Sequence, residues 1–337
     1  MRFSHTAALL AGLSILLASL LTMPAALAAE RVRVVTSFSI LADMIDNVGG
    51  ERVEVTALVG PDSDAHVYSP RPSDARKLAE AGLVVFNGLQ FEGWMERLID
   101  ASDFDGPLVV ATDGIEMPEA MDDGHDHGHD HGPLDPHAWQ DLGLGEVYVT
   151  NIRDGLIEAD PAHADAYRAN AERYLTAIER TDSELRALLD EIPAASAVIT
   201  GHASFGHFAH AYGLRFLSPQ GLSTAAEPSA ADMARLIDVI REQDVRALFH
   251  ENMTSPAMID QLAEETGLPV AGTLHADALA SDGEASTWLG MMLHNALTLH
   301  DALGEPGHRG GDGDGDGDRA HDHGHDAQEE AHPDHAH

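Results

Sequence analysis

Four loops of this chain carry side chains able to hold a cation. They are His66 in Asp64-Ala65-His66-Val67-Tyr68-Ser69-Pro70, His137 in Leu134-Asp135-Pro136-His137-Ala138-Trp139, His202 in Gly201-His202-Ala203-Ser204-Phe205, and Asp277 in Leu274-His275-Ala276-Asp277-Ala278-Leu279. Each follows a predicted strand or joins two elements, and open α/β sheets take their ligands at the carboxyl ends of their strands. Cysteine is absent, so any metal site here must be built from His, Asp and Glu, and no disulfide supports the fold. Taken singly, none of the four decides anything. His66 also reads as a solvated loop residue, His137 as packing beside Pro136 and Trp139, His202 as a polar residue at a helix start, and Asp277 as a turn former.

Further histidines compete for attention. His207 and His210 lie three apart on a predicted helix face, but no His-Glu-x-x-His arrangement is present, which removes a metalloprotease reading. His250 and Glu251 end a predicted strand, where Glu251 is placed to hydrogen-bond a ligand imidazole, although an ordinary strand-end pair reads the same way. His294 and His300 fall on the last predicted helix and read as structural or solvated. Two tracts are denser. His125, His127, His129 and His131 alternate with Asp and Gly within residues 122–132, and His321, His323, His325, His332, His335 and His337 crowd the end of the chain. Such tracts bind divalent zinc readily but, without preorganisation, weakly and in mixed geometry; they also have the composition of solvated linkers. No nucleophile-elbow, phosphate-loop or dinucleotide fingerprint occurs.

The elements that must position the four loops follow from hydropathy periodicity. Strands are expected over residues 31–36, 53–59, 83–87 and 108–111, alternating with helices over 40–48, 73–81 (capped by Ser73) and 92–101. Helical spacing resumes over 142–158 and 161–192, and the second of these would run about 45 Å. Beyond it come strands 197–200, 245–250 and 270–274 with helices 205–212, 229–243, 256–266 and 286–303. Alternation of this kind implies an α/β chain: two lobes, each with a mostly parallel sheet covered by helices, joined by one long rigid helix. The boundaries expected are an N-terminal lobe over 29–160 containing the His-rich loop 122–132, a connecting helix over 161–192, a C-terminal lobe over 193–303 and a Gly/Asp/His-rich tail over 304–337.

Arg2, an apolar stretch from Ala7 to Leu21 and Ala26-Leu27-Ala28 read as an export signal over residues 1–28, cleaved to give a soluble periplasmic product. The formal net charge is −38, from 57 acidic against 19 basic residues, and such a surface repels phosphate backbones, so nucleic acid is not an expected partner.

Read in order, these motifs resemble the metal-binding solute-binding proteins of bacterial ABC importers, in particular the zinc branch with ZnuA-type and AztC-type members. The likeness covers roughly residues 34–303. It rests on the His66 loop with its Tyr-x-Pro ending, the His/Asp-rich loop just before Asp-Pro-His-Ala-Trp, the long helix, Gly-His-x-x-Phe, Glu227-Pro228-Ser229 and the Asp277 loop. The resemblance implies His66, His137, His202 and Asp277 as metal ligands, Zn2+ as the transported ion, a membrane permease and a periplasmic metallochaperone as partners, and a monomer. Three imidazoles and one carboxylate suit tetrahedral zinc, whereas manganese takes more oxygen, and the similar manganese binders carry a carboxylate where this chain has His202. Some zinc-branch relatives have a disulfide in the second lobe; this chain has no cysteine with which to make it. A zinc hydrolase using three histidines and a metal-bound water, and a zinc buffer or adhesin, are the competing classes.

Overall fold

The computed structural model describes residues 31–115, 134–243 and 245–304. The export signal, the His-rich loop and the C-terminal tail expected from sequence lie outside them.

Two four-stranded sheets, each entirely parallel, form the framework, in the orders β2-β1-β3-β4 and β6-β5-β7-β8. The first contains β1 (Val32–Phe38), β2 (Val53–Val59), β3 (Leu83–Phe86) and β4 (Leu108–Val110). In the second are β5 (Ala197–Ile199), β6 (Arg215–Leu217), β7 (Val245–Glu251) and β8 (Val270–Leu274). Parallel strands are covered on both faces and therefore read as nearly continuous apolar runs. β3 is buried at every residue and β1 from Val34 onward. In β5 the alternation is visible: Val198 joins the main core, while Ala197 and Ile199 face a second cluster with Leu236, Ile240 and Leu262.

The covering helices are α1 (Ser39–Gly49), α2 (Pro72–Ala79), α3 (Met95–Asp100), α4 (Gly145–Ala159) and α5 (Ala164–Leu189), followed by α6 (Gly206–Tyr212), α7 (Ala230–Glu242), α8 (Ala257–Thr266) and α9 (Trp288–Leu303). The long helix α5 has 26 residues, about 39 Å of rise. Its buried stripe of Tyr167, Ala171, Tyr174, Ile178, Leu185 and Leu189 packs against α1, α4 and α9. One hydrophobic core thus runs from β1 and α1 through α5 to α9 and reaches the second sheet at Phe249 and Leu274.

The differences from the sequence reading have local causes. The expected helix 161–192 starts later because Pro161–His163 forms a 3-10 turn, and Leu142–Leu144 similarly precedes α4. Helix α2 begins at Pro72 rather than at a Ser73 cap, with Asp74 accepting the Arg71 N–H at 2.8 Å. The expected helix from residue 92 forms only from Met95, because residues 91–94 are a turn that follows left-handed backbone at Gly88, Leu89 and Gln90. Strand β6 escaped prediction: it is three residues long, lies at a sheet edge and follows Gly213 at φ 76°. The caps at Ser229 and Gly267 are as expected.

Candidate metal centre

Both sheets deliver loops to one place. His66 follows β2, His202 follows β5, Asp277 follows β8, and His137 opens the 3-10 turn Ala138–Gln140. His66, His137, His202 and Asp277 each offer a donor atom within 4.8 Å of all the others. Asp277 sits at the centre: its Oδ2 lies 3.0 Å from His202 Nε2 and 3.2 Å from His66 Nε2, and its Oδ1 lies 3.6 Å from His137 Nε2. Four donors about 2.0–2.1 Å from one tetrahedral ion stand roughly 3.3 Å apart, so these separations need little adjustment. The side chains are sequestered, with His66 only 3% exposed and the other three at 0%. His66 Nε2, His137 Nε2 and Asp277 Oδ1 are buried without a well-aligned hydrogen-bond partner. Buried polar atoms are normally paired, and three such atoms aimed at one point fit a cation between them.

The opposite edges of two rings are held by carboxylates. His137 Nδ1 lies 2.7 Å from Asp135 Oδ1, and His202 Nδ1 lies 2.7 Å from Glu251 Oε2. A carboxylate acceptor selects the tautomer protonated at Nδ1, which leaves the Nε2 lone pair for a metal. Each carboxylate also takes the backbone N–H of the same histidine, at 3.0 Å in both cases. Gly201 and Gly206 make the close approaches possible. A Cβ on Gly201 would stand 3.2 Å from Glu251 Oε2, and one on Gly206 would stand 2.4 Å from Asp135 Oδ2.

The charges support one another. Burial works against the charged form of His202, but Glu251 and Asp277 outweigh it and raise its pKa well above the ordinary histidine value. Burial likewise opposes ionisation of Asp277, yet His202 and then His137 hold its carboxyl well below the usual carboxylate range. Asp135 is lowered too, its desolvation overcome by His137.

The surrounding bonds join the lobes at the site. Trp139 Nε1 donates to Ala276 O at 2.9 Å and Gln140 Nε2 to the same oxygen at 2.7 Å, tying the His137 turn to the Asp277 loop. The His66 loop is held by the Asp62 N–H to Leu279 O (2.9 Å) and by Thr224 Oγ1 to Asp64 Oδ2 (2.6 Å).

Of the other sequence candidates, Glu251 stands against His202, its Oε2 2.7 Å from Nδ1. His207 Nε2 contacts the Asp135 carbonyl at 3.2 Å and so braces the His137 turn. His210 is exposed. His250 turns to Asp260 (2.9 Å), His294 to the Thr273 carbonyl (3.1 Å) and His300 to Glu191 (3.1 Å), so none joins the cluster. His125, His127, His129 and His131 lie outside the described residues. Asp135 went unrecognised in the sequence, although a signal was present. Asp64-Ala65-His66 and Asp135-Pro136-His137 share an Asp-x-His pattern, and in both the Asp accepts the backbone N–H of the His (2.9 and 3.0 Å).

The profile of the family described as "Zinc-uptake complex component A periplasmic" (ZnuA) matches residues 34–302. The chain belongs to the ZnuA family. Among the relatives of this ZnuA-family protein is the manganese-binding lipoprotein MntA of Halalkalibacterium halodurans, 33% identical over 280 residues that cover 82% of this chain and 90% of that one. The iron-binding protein YfeA of Yersinia pestis is 30% identical over 279 residues, covering 82% and 88% respectively. In structure the chain is similar to the periplasmic zinc-binding protein TroA of Treponema pallidum, with a TM-score of 0.75, 26% identity and coverage of 82% of this chain and 100% of that one. Its relatives are substrate-binding proteins of metal ABC transporters, not enzymes, and the fold is the two-lobed α/β fold of TroA.

Proposed function

We propose that this ZnuA-family protein captures Zn2+ in the periplasm, with His66, His137 and His202 donating nitrogen and Asp277 donating oxygen, and delivers it to an ABC-type permease in the inner membrane. The observation that carries this reading is the convergence of three Nε2 atoms on one buried carboxylate, two of the rings being fixed from behind by Asp135 and Glu251. Four protein donors in a shell closed to solvent suit a carrier of a four-coordinate ion, whereas a zinc hydrolase needs a position left open for water. The proposed form is a released monomer of two lobes, 29–160 and 193–303, joined by the segment 161–192 that contains α5 (Ala164–Leu189). The apolar stretch Ala7 to Leu21 followed by Ala26-Leu27-Ala28 supports release after signal cleavage.

Manganese is the second reading, because several relatives are named for it. The ligand chemistry weighs against it: three imidazoles and one carboxylate form a softer, lower-coordinate set than manganese favours. Metal analysis of the purified protein and competition between Zn2+ and Mn2+ separate the two. One zinc ion per chain, retained against excess manganese and lost when His137 and His202 are both replaced by alanine, is the expected result. Displacement by manganese, or tight one-to-one zinc binding that survives the double replacement, overturns the proposal.

The tract His125, His127, His129 and His131 is proposed to gather zinc near the site or to accept it from a periplasmic metallochaperone. Deleting residues 122–132 is expected to leave equilibrium affinity nearly unchanged and to slow acquisition of chelated zinc, read by stopped-flow transfer from a coloured chelate. A large loss of affinity would contradict that division of labour.

A further inference from the structure

The turn between β3 and α3 has backbone that ordinary residues avoid. Gly88, Leu89 and Gln90 are all left-handed, at φ 91°, 54° and 65°. Successive residues of this kind persist only where their surroundings over-determine them. Glu92 supplies the constraint. Its buried carboxylate accepts the Ser37 hydroxyl at 2.5 Å and the Asn87 N–H at 2.8 Å on Oε1, and the Gly88 N–H at 3.2 Å on Oε2. Thr112 Oγ1 donates to the Asn87 carbonyl at 2.6 Å and closes the other side of the turn.

What this turn produces is the position of Phe91, which is 1% exposed. Its ring meets His66 at 4.6 Å between centroids and His137 at 5.8 Å, both edge to face. Phe38 and Trp139 back it at 4.9 and 4.8 Å. One side of the cluster is therefore an aromatic wall that cannot move aside without displacing two further buried rings.

We infer that Phe91 determines how many ligands the bound ion has, and thereby favours zinc over manganese. This rests on the reading of His66, His137, His202 and Asp277 as the ligands. Four donors satisfy zinc, while manganese gains from additional oxygen, most readily water. A water needs room and polar partners, and the phenyl ring against two of the imidazoles provides neither. Glu92 is a positioning residue in this scheme: it never touches the ion but holds the turn that seats Phe91. Selectivity thus comes partly from a side chain with no donor atom.

The test uses the full-length chain with Phe91→Ala and the milder Phe91→Leu, each loaded with one equivalent of Co2+, whose visible spectrum reports coordination number. The wild type is expected to show the intense absorption of a four-coordinate ion, Phe91→Ala the weak absorption of a five- or six-coordinate one, and Phe91→Leu an intermediate. In chelator competition, the ratio of zinc to manganese affinity is expected to fall by about tenfold or more in Phe91→Ala. Circular dichroism checks the fold, and if Phe91→Ala does not fold, Phe91→Leu carries the comparison. A folded variant that keeps both the four-coordinate spectrum and the wild-type metal ratio overturns the inference. If instead the wild-type Co2+ spectrum is unchanged by replacing His137 and His202 with alanine, the ligand assignment itself fails, and this inference falls with it.

Discussion

At the scale of single residues, the site depends on carboxylates that do not face the ion as much as on the side chains that do. Glu251 accepts both the ring N–H and the backbone N–H of His202, so one group sets the tautomer, the rotamer and the position of the loop. Asp135 does the same for His137. Removing such a partner typically costs 10–100-fold in metal affinity, and replacing either residue with alanine is expected to fall in about that range. Chelator competition measures it, and the fold should persist because the core lies elsewhere. Affinity unchanged in both variants would mean that the rings are held by packing alone.

At the scale of elements, the loops are placed by helices that pack across the chain. Asp43 on α1 shows this most directly. Its Oδ2 accepts the Trp288 N–H at 3.0 Å and the Tyr174 hydroxyl at 3.3 Å, fastening the start of α9 and the middle of α5 to the first lobe. From there Trp288 Nε1 donates to the Trp139 carbonyl (3.0 Å), and Trp139 reaches Ala276 beside Asp277. Replacing Asp43 with alanine strands two buried donors and is expected to destabilise the protein by about 1–3 kcal/mol. Thermal unfolding of the metal-free protein reads the loss, and an unchanged melting temperature would remove Asp43 as an anchor.

For the whole molecule, proton and metal compete for the same buried charges. His202, with its pKa raised, stabilises the metal-free fold fully below the unfolded histidine pKa, a contribution lost as pH rises through the folded value. Asp277, with its pKa depressed, contributes above the unfolded carboxylate pKa and loses that contribution as pH falls through its folded value. These are two views of one interaction. With His202 as a ligand, as proposed, the bound ion displaces its proton, so uptake would release that proton and affinity would decline in acid. At a metal concentration roughly a thousand times Kd the bound form should gain about 4 kcal/mol of stability. That gap, followed by thermal unfolding, is expected to narrow steadily from about pH 8 to about pH 5.5. A gap constant across this window would mean that no imidazole trades its proton for the ion.

Much of this was legible in the sequence because it is local. Apolar periodicity marked seven of the eight strands among the described residues and the long buried stripe of α5, while Ser229 and Gly267 announced helix ends through their own hydrogen bonds and backbone angles. The ordered motifs singled out the four residues that the structure brings together, and one of the two carboxylates behind them. Tertiary structure alone decided the rest. Convergence of His66 with Asp277 depends on contacts such as Trp139 to Ala276, 137 residues apart, and no periodicity encodes these. The diversion of His250 to Asp260 and the seating of Phe91 by a left-handed turn depend likewise on what packs against them. Local patterns specify which face of an element is apolar; only the packing of two sheets on a shared core sets which polar side chains are left pointing at one another in the dry space between them.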